Sequence, residues 1–285
     1  MGKSFIETYK EDSLIRASAC QIYSSLPRSA LVVIDMINDS CRENGAFAKL
    51  GFNISSFKKI EQNISDLVFL CKENDIPIIY VESFYDSEYL PSFMKIKFQE
   101  MQIADFPIAR KGTWGAELVD TLPRINDYRL IKSHYSAFSE GFTFLFKENA
   151  VPEIEDYIKK PAGCDYKLKK RGKKVLTDYY QDVLIDKRGL LYGHSNKNAC
   201  DSHFNLNSFL RSHNINTLIL VGGSTHVCVA STIYSASERG YKTIIPIDAV
   251  ASEDSNKHWI YLHNFMLFNS MLCTVSRLKS VVKAL

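Results

Sequence analysis

No stretch of the 285-residue chain approaches the roughly 18 consecutive apolar residues that a membrane-spanning helix requires, so a helical membrane protein is not expected. The opening residues, MGKSFIETYKEDSLIRASACQIYSSLPRSA, lack the unbroken apolar core of a secretory signal, which makes a cytoplasmic location the expectation. Charge of one sign is equally scarce. With 35 Lys and Arg against 32 Asp and Glu, the formal net charge of +3 is too small to draw the whole molecule to a polyanion. The seven cysteines (20, 41, 71, 164, 200, 228 and 273) are odd in number and include no Cys-x-x-Cys pair, which argues against a disulfide framework and for reduced thiols. Most such thiols are small buried hydrophobes. A zinc pattern is missing too, because Cys200-x-x-His203 has no second pair of matching spacing.

Apolar side chains are plentiful: 46% hydrophobic residues against 24% charged is the ordinary balance of a globular protein that buries a full core. Short β-branched runs alternate with amphipathic stretches. ALVVIDM (30–36), IPIIYV (76–81), YRLIKS (128–133), TLILVG (217–222), KTIIPID (242–248) and LCTVS (272–276) read as six strands. After the first, Asn53 and Ser55 are candidate caps for a helix through about Asn74, with Phe57, Ile60, Ile64, Leu67, Val68 and Cys71 at three- and four-residue spacings. Further helices are expected over about 205–213, 228–239 and 256–270. Fully apolar strands separated by amphipathic helices imply a parallel sheet covered on both faces. The expected fold class is α/β: an open, doubly wound parallel sheet of about six strands in a Rossmann-like, three-layer arrangement.

Two stretches break the alternation, residues 1–28 and roughly 140–203. The second contains the Lys-rich KKPAGCDYKLKKRGKK (159–174) and VLIDKRGLLY (183–192), whose central DKRG is a hairpin-turn signal. The reading is an N-terminal extension (1–28) followed by one domain (29–285) that is interrupted by a hairpin-containing arm. A lid, an oligomer contact and a polyanion-binding tongue are all open for this arm. Its basic residues and Tyr166, Tyr179 and Tyr180 suit nucleic acid, but acidic residues 178, 182 and 186 dilute the patch. Nucleic acid is therefore not an expected partner.

In an open α/β sheet, ligands bind beyond the carboxyl ends of the strands. Three reactive side chains fall there: Asp35 after ALVVI, Lys132 after RLI and Cys228 just past LILVGG. With Ser224 or Thr225 as a cap, Cys228 enters the first turn of a helix, where unpaired N–H groups and the helix dipole favour a thiolate. A nearby lysine favours it further, and a carboxylate can shuttle the thiol proton to a leaving group. Each residue alone has a plain structural reading, as a packed cysteine or a capping aspartate. Their coincidence at three strand ends weakens that reading.

VVIDMIND, KGTWGAEL, IKSHYSAF and LVGGSTHVCVASTIYSASERGYKTIIPIDAVAS together resemble the isochorismatase-like cysteine hydrolase superfamily, which includes nicotinamidases, N-carbamoylsarcosine amidase and the ureidoacrylate and biuret amidohydrolases. The resemblance covers about 30–135 and 204–276, and its Gly-x-x-Thr-x-x-Cys-Val element is Gly222, Thr225, Cys228 and Val229. It implies that Asp35 is the general acid/base, Lys132 the triad lysine and Cys228 the nucleophile. It also implies a cis peptide between Gly223 and Ser224, with the backbone N–H groups of Ser224 and Cys228 forming an oxyanion hole. Gly222 and Gly223 would then relieve crowding around an unusual backbone; an ordinary glycine-rich turn is the alternative.

The nicotinamidase branch binds a metal through an Asp-x-His element after the second strand, but VESFYDSEYL has no His, so neither metal nor cofactor is expected. Where many isochorismatase-branch members have Arg two places after the lysine, this chain reads Lys132-Ser133-His134, which puts carboxylate recognition by that Arg in doubt. DSCRENGAFAKLGFN and KGTWGAEL look closer to the ureidoacrylate and biuret type, which points to a small carbamoyl or ureido amide. Asn38, Trp114, His134, Tyr135, Phe138 and His226 are candidate pocket residues, with core packing as the other reading of the aromatics. The expectation is a metal-free cysteine amidohydrolase, a homo-oligomer with a small-molecule partner and no membrane association. Isochorismatase-type vinyl-ether hydrolysis, which needs the acid but no nucleophile, and a non-catalytic binding protein on the same fold are the alternatives.

Overall fold

The computed structural model describes residues 17–86, 90–103, 108–123, 127–139 and 205–283 in full, and 143–147, 183–185 and 191–193 as backbone. Its strands are β1 (Ser29–Ile34), β2 (Ile78–Ser83), β3 (Tyr128–Lys132), β4 (Thr143–Lys147), β5 (Val183–Ile185), β6 (Leu191–Gly193), β7 (Thr217–Gly223), β8 (Lys242–Pro246), β9 (Val250–Ala251) and β10 (Ser270–Cys273). Its helices are α1 (Ala19–Ser25), α2 (Asn38–Cys41), α3 (Ala46–Lys49), α4 (Ser55–Glu73), α5 (Ser92–Glu100), α6 (Leu206–Ser212), α7 (Ala230–Glu238), α8 (Ser255–Phe265) and α9 (Val275–Val282). None among the described residues is long and apolar enough to cross a membrane.

The main sheet has the order β10-β8-β7-β1-β2-β3-β4, with β9 beside the end of β7. Central β1 runs parallel to β7 from Ser29↔Thr217 to Ile34↔Gly222, and to β2 from Leu31↔Ile78 to Ile34↔Val81. All of β1, β2 and β7 is buried, because alternate side chains feed two separate cores. Leu31, Val33, Ile78, Tyr80, Ile219 and Val221 join the α4 and α9 side, whereas Ala30, Val32, Ile79, Val81, Leu218 and Leu220 join the α6, α7 and α8 side. Helix α4 buries all six residues that its spacing selects. It is entered through Ile54 without a side-chain cap, while Asn53 accepts a hydrogen bond from the Ser55 N–H at 3.0 Å.

Several elements differ from the sequence expectation. Strand β4 lies inside the segment set apart at about 140–203, yet it pairs antiparallel with β3 from Tyr128↔Lys147 to Lys132↔Thr143 and extends the main sheet. The hairpin signalled by DKRG has β5 and β6 paired antiparallel in a separate two-stranded sheet; the turn itself, 186–190, lies outside the described residues. The end of the N-terminal extension is part of the core. Ser18 and Gln21 close a capping box on α1, whose Ile22, with Leu26 just beyond, is buried against the α9 side. Strand β10 stops at Cys273 because Thr274 turns to cap α9, accepting from the Arg277 N–H at 3.2 Å.

Candidate active site

Four adjacent strands, β7, β1, β2 and β3, deliver side chains to one point at their carboxyl ends. Asp35 directly follows β1 with φ +49°, a left-handed conformation that Asp tolerates better than most residues. Its N–H bonds Val81 O at 2.9 Å, which ties the turn to β2. Lys132 ends β3 and is 0% exposed. Its ammonium donates to Asp35 Oδ2 at 2.9 Å, Ser83 Oγ at 2.6 Å and the His134 carbonyl at 3.0 Å, and reaches Cys228 Sγ at 3.5 Å. Three protons thus face three close oxygens, with the sulfur as a longer fourth neighbour. The buried cation is fully paired.

Cys228 sits in a single π-helical turn, Thr225–Val229, between β7 and α7. The peptide before that turn, Gly223–Ser224, is cis. The expectation of a thiolate favoured by a helix start does not hold for this arrangement. Burial pushes the Cys228 thiol up to about 12, and the Asp35 charge adds to this, outweighing the opposing effect of Lys132. For Lys132 itself, burial alone would disfavour the charge, but Asp35 and Cys228 reverse the direction and raise its pKa. These directions leave Cys228 a thiol beside the Lys132 ammonium.

Two members of the cluster escaped the sequence reading. Ser83, the last residue of β2, donates to Asp35 Oδ1 at 2.9 Å while accepting from Lys132. Tyr85 places its hydroxyl 3.0 Å from Ser83 Oγ and 3.8 Å from Cys228 Sγ. The signal that finds them is the strand-end rule applied to the second strand.

The other candidates divide. Asn38 is buried and donates from Nδ2 to the Trp114 carbonyl at 2.8 Å, which ties the turn after β1 to the loop carrying Trp114. Trp114 itself is half exposed. His134 contributes its carbonyl to Lys132, and burial together with the Lys132 charge lowers its imidazole pKa. Tyr135 is half-buried, stacks edge-on to Phe93 at 5.8 Å and feels the charges of Cys228 and Lys132. Phe138 departs from the pocket expectation: it packs in the core against Tyr241 at 5.6 Å, with the Arg239 guanidinium 5.3 Å from its ring. His226 is held by partners on the loop after β9. Its Nδ1 pairs with Ser252 Oγ at 2.8 Å and its Nε2 lies 3.4 Å from Glu253 Oε1, while the Ser224 hydroxyl donates to Glu253. Among the described residues, no group of three or more His, Cys, Asp and Glu could hold a metal ion.

The fold is thus α/β, a doubly wound sheet with a buried cysteine, lysine and aspartate gathered at its central strand ends. The chain belongs to the isochorismatase family: the model of the isochorismatase domain matches residues 29–155 and 171–277. Ureidoacrylate amidohydrolase RutB of Cronobacter sakazakii is 31% identical over 123 residues, 39% of this chain and 53% of that protein. RutB of Acinetobacter baylyi is 27% identical over 146 residues, 47% of this chain and 60% of that protein. The matched part thus spans little more than half the length of these curated relatives. Among solved structures, a cysteine hydrolase from Pseudomonas syringae pv. phaseolicola superposes with a TM-score of 0.60 at 18% identity, covering 90% of this chain and 93% of that one. N-carbamoylsarcosine amidase from Thermoplasma acidophilum gives 0.51 at 19%, covering 87% and 96%. At such identities the structural likeness is one of fold.

Proposed function

We propose that this protein is a cysteine amidohydrolase that cleaves a C–N bond of a small amide, carbamoyl or ureido compound. The observation that carries the reading is the Lys132 ammonium, fully buried and within bonding distance of both Asp35 and Cys228. In the proposed sequence, Asp35 takes the proton from Cys228 as the sulfur attacks the substrate carbonyl. The negative charge that develops on the carbonyl oxygen is received by the backbone N–H groups of Ser224 and Cys228. Asp35 then gives its proton to the departing nitrogen, the C–N bond breaks, and a thioester remains. Water, losing a proton to Asp35, attacks that thioester; the C–S bond breaks and the proton returns to sulfur. Lys132 stays protonated throughout and holds Asp35 in place.

The similarity to ureidoacrylate amidohydrolase and N-carbamoylsarcosine amidase supports an amide or ureide as substrate. The test is ammonia release across a panel of small amides and ureides, with Cys228→Ala and Asp35→Asn as controls. Both variants should be inactive on whatever the parent hydrolyses. Amide hydrolysis that persists in Cys228→Ala, or isochorismate turnover by that variant, would overturn the reading in favour of acid-only chemistry.

A further inference from the structure

Tyr85 has no part in the sequence outlined above, yet it is built into the same cluster. Its N–H bonds the Ala109 carbonyl at 3.0 Å and its ring stands edge-on to Phe98, 5.8 Å between centroids. These contacts fix where the phenol oxygen lies, between Ser83 Oγ at 3.0 Å and Cys228 Sγ at 3.8 Å. Ser83 has one hydroxyl proton, and the charged Asp35 Oδ1 at 2.9 Å is its better acceptor. The Tyr85 O–H is then left with two acceptors, Ser83 Oγ and Cys228 Sγ. A thiol sulfur accepts weakly and a thiolate strongly.

We propose that Tyr85 is a further catalytic residue, whose hydroxyl turns from Ser83 Oγ to Cys228 Sγ as the thiol loses its proton and so stabilises the attacking thiolate. The proposal rests on the reading of Cys228 as the nucleophile. The S–H bond breaks and its proton goes to Asp35; Tyr85 keeps its own proton and only rotates its O–H. Once the sulfur is bonded to carbon it no longer carries charge, and the hydroxyl returns to Ser83. Burial, with the charges of Cys228 and Asp35 added, raises the Tyr85 pKa well above the ordinary phenol value, so the group remains a donor. The groups that face the sulfur are Asp35 from the end of β1, Tyr85 from beyond β2, and Lys132, with Tyr135 past it, from β3. Of these, Lys132 and Tyr85 favour the thiolate, and Asp35 opposes it until it is itself protonated. Packing explains the Tyr85 ring but not the placement of its hydroxyl, since Phe would fill the same space against Phe98.

The measurement is iodoacetamide alkylation of Cys228 at a fixed, mildly alkaline pH, read by peptide mass spectrometry as a ratio to the exposed Cys20 of the same molecule. Tyr85→Phe should lower that ratio about tenfold, the effect of one hydrogen bond to a charged sulfur. Fluorotyrosine at position 85 keeps the shape but is a stronger donor, and should raise the ratio above that of the parent. A Tyr85→Phe ratio equal to the parent's, or a fall with both replacements, overturns the proposal, and the fluorotyrosine protein decides it if Tyr85→Phe does not fold. Failure of the nucleophile reading is seen separately, as amide hydrolysis that survives in Cys228→Ala.

Discussion

Gly222 and Gly223 bring β7 to the site in two physically different ways, and alanine at each should separate them. Gly222 has φ +108°, where residues with a Cβ are strained, and a Cβ there would stand 2.1 Å from the Ile34 carbonyl oxygen. That oxygen belongs to β1, whose register with β7 includes the Ile34↔Gly222 pair, so neither partner can retreat without opening the central ladder. At Gly223 the obstacle is a side chain: an added Cβ would stand 2.2 Å from Cε1 of Phe57, a fully buried ring on α4. Left-handed strain of about 1–3 kcal/mol plus the backbone overlap puts Gly222→Ala above about 3 kcal/mol. Overpacking puts Gly223→Ala at about 1–3 kcal/mol, and a loss of about 2 kcal/mol lowers Tm by roughly 3–4 °C in a chain of this size. Urea unfolding of both variants, of Phe57→Leu and of the two double variants supplies the decisive comparison. Shortening Phe57 should rescue Gly223→Ala, with a coupling of about 1 kcal/mol or more, and should do nothing for Gly222→Ala. Additivity of Gly223→Ala with Phe57→Leu, or a Gly222→Ala protein that unfolds with the parent, would refute this account.

Other perturbations probe the surrounding structure. Burial, helped by the neighbouring His226, holds His258 at about 4 instead of the usual 6.5, so the unfolded chain takes up a proton first as the pH falls. Stability should decline between about pH 6.5 and 4 by up to roughly 3 kcal/mol, and His258→Gln should flatten that slope in urea melts taken across the range. Iodoacetamide should label exposed Cys20 ahead of buried Cys228, and Lys132→Met should slow Cys228 further by removing the cation 3.5 Å from the sulfur; unchanged labelling would remove Lys132 from the control of the thiol. Replacing about residues 148–200 with a short Gly/Ser linker should leave a cooperative melt, because loop closure changes by only about 0.6 kcal/mol per doubling of length. Light scattering of that variant reports an assembly contact as a smaller particle, and failure to fold would place the segment in the core.

Asp35, Lys132 and Cys228 were legible because apolar runs mark where strands end, and strand ends are where an open α/β sheet presents its chemistry. Ser83 and Tyr85 were hidden by one buried charge. Glu82 follows the apolar run IPIIYV and reads as a polar stop, yet it is 1% exposed and bonded through both carboxylate oxygens to Arg129 of β3, at 2.8 and 2.9 Å. That cross-strand pair carries β2 two residues further, and the added length sets Ser83 against Lys132. Strand β4 was missed for a related reason. FTFLF (142–146) is an apolar run too short for periodicity to assign, and what makes it a strand is its partner β3, remote from any local signal.

The direction of the Cys228 shift was also beyond the sequence, since a helix start is visible in a sequence and full burial is not. The two effects oppose each other, and burial dominates. This does not conflict with a nucleophilic role, as the charge of the whole cluster shows. Lys132, Asp35 and the Cys228 thiol sum to zero in a site where none of them is more than 6% exposed. Releasing the thiol proton to water would leave a net negative charge in surroundings that solvate it poorly. Passing the proton to Asp35 leaves the sum unchanged, and the ammonium that had faced the carboxylate then faces the sulfur. In the proposed reaction, the pH at which free thiolate appears and the pH at which the sulfur attacks are therefore different quantities, and a thiol pushed up to about 12 is compatible with direct transfer of its proton to Asp35.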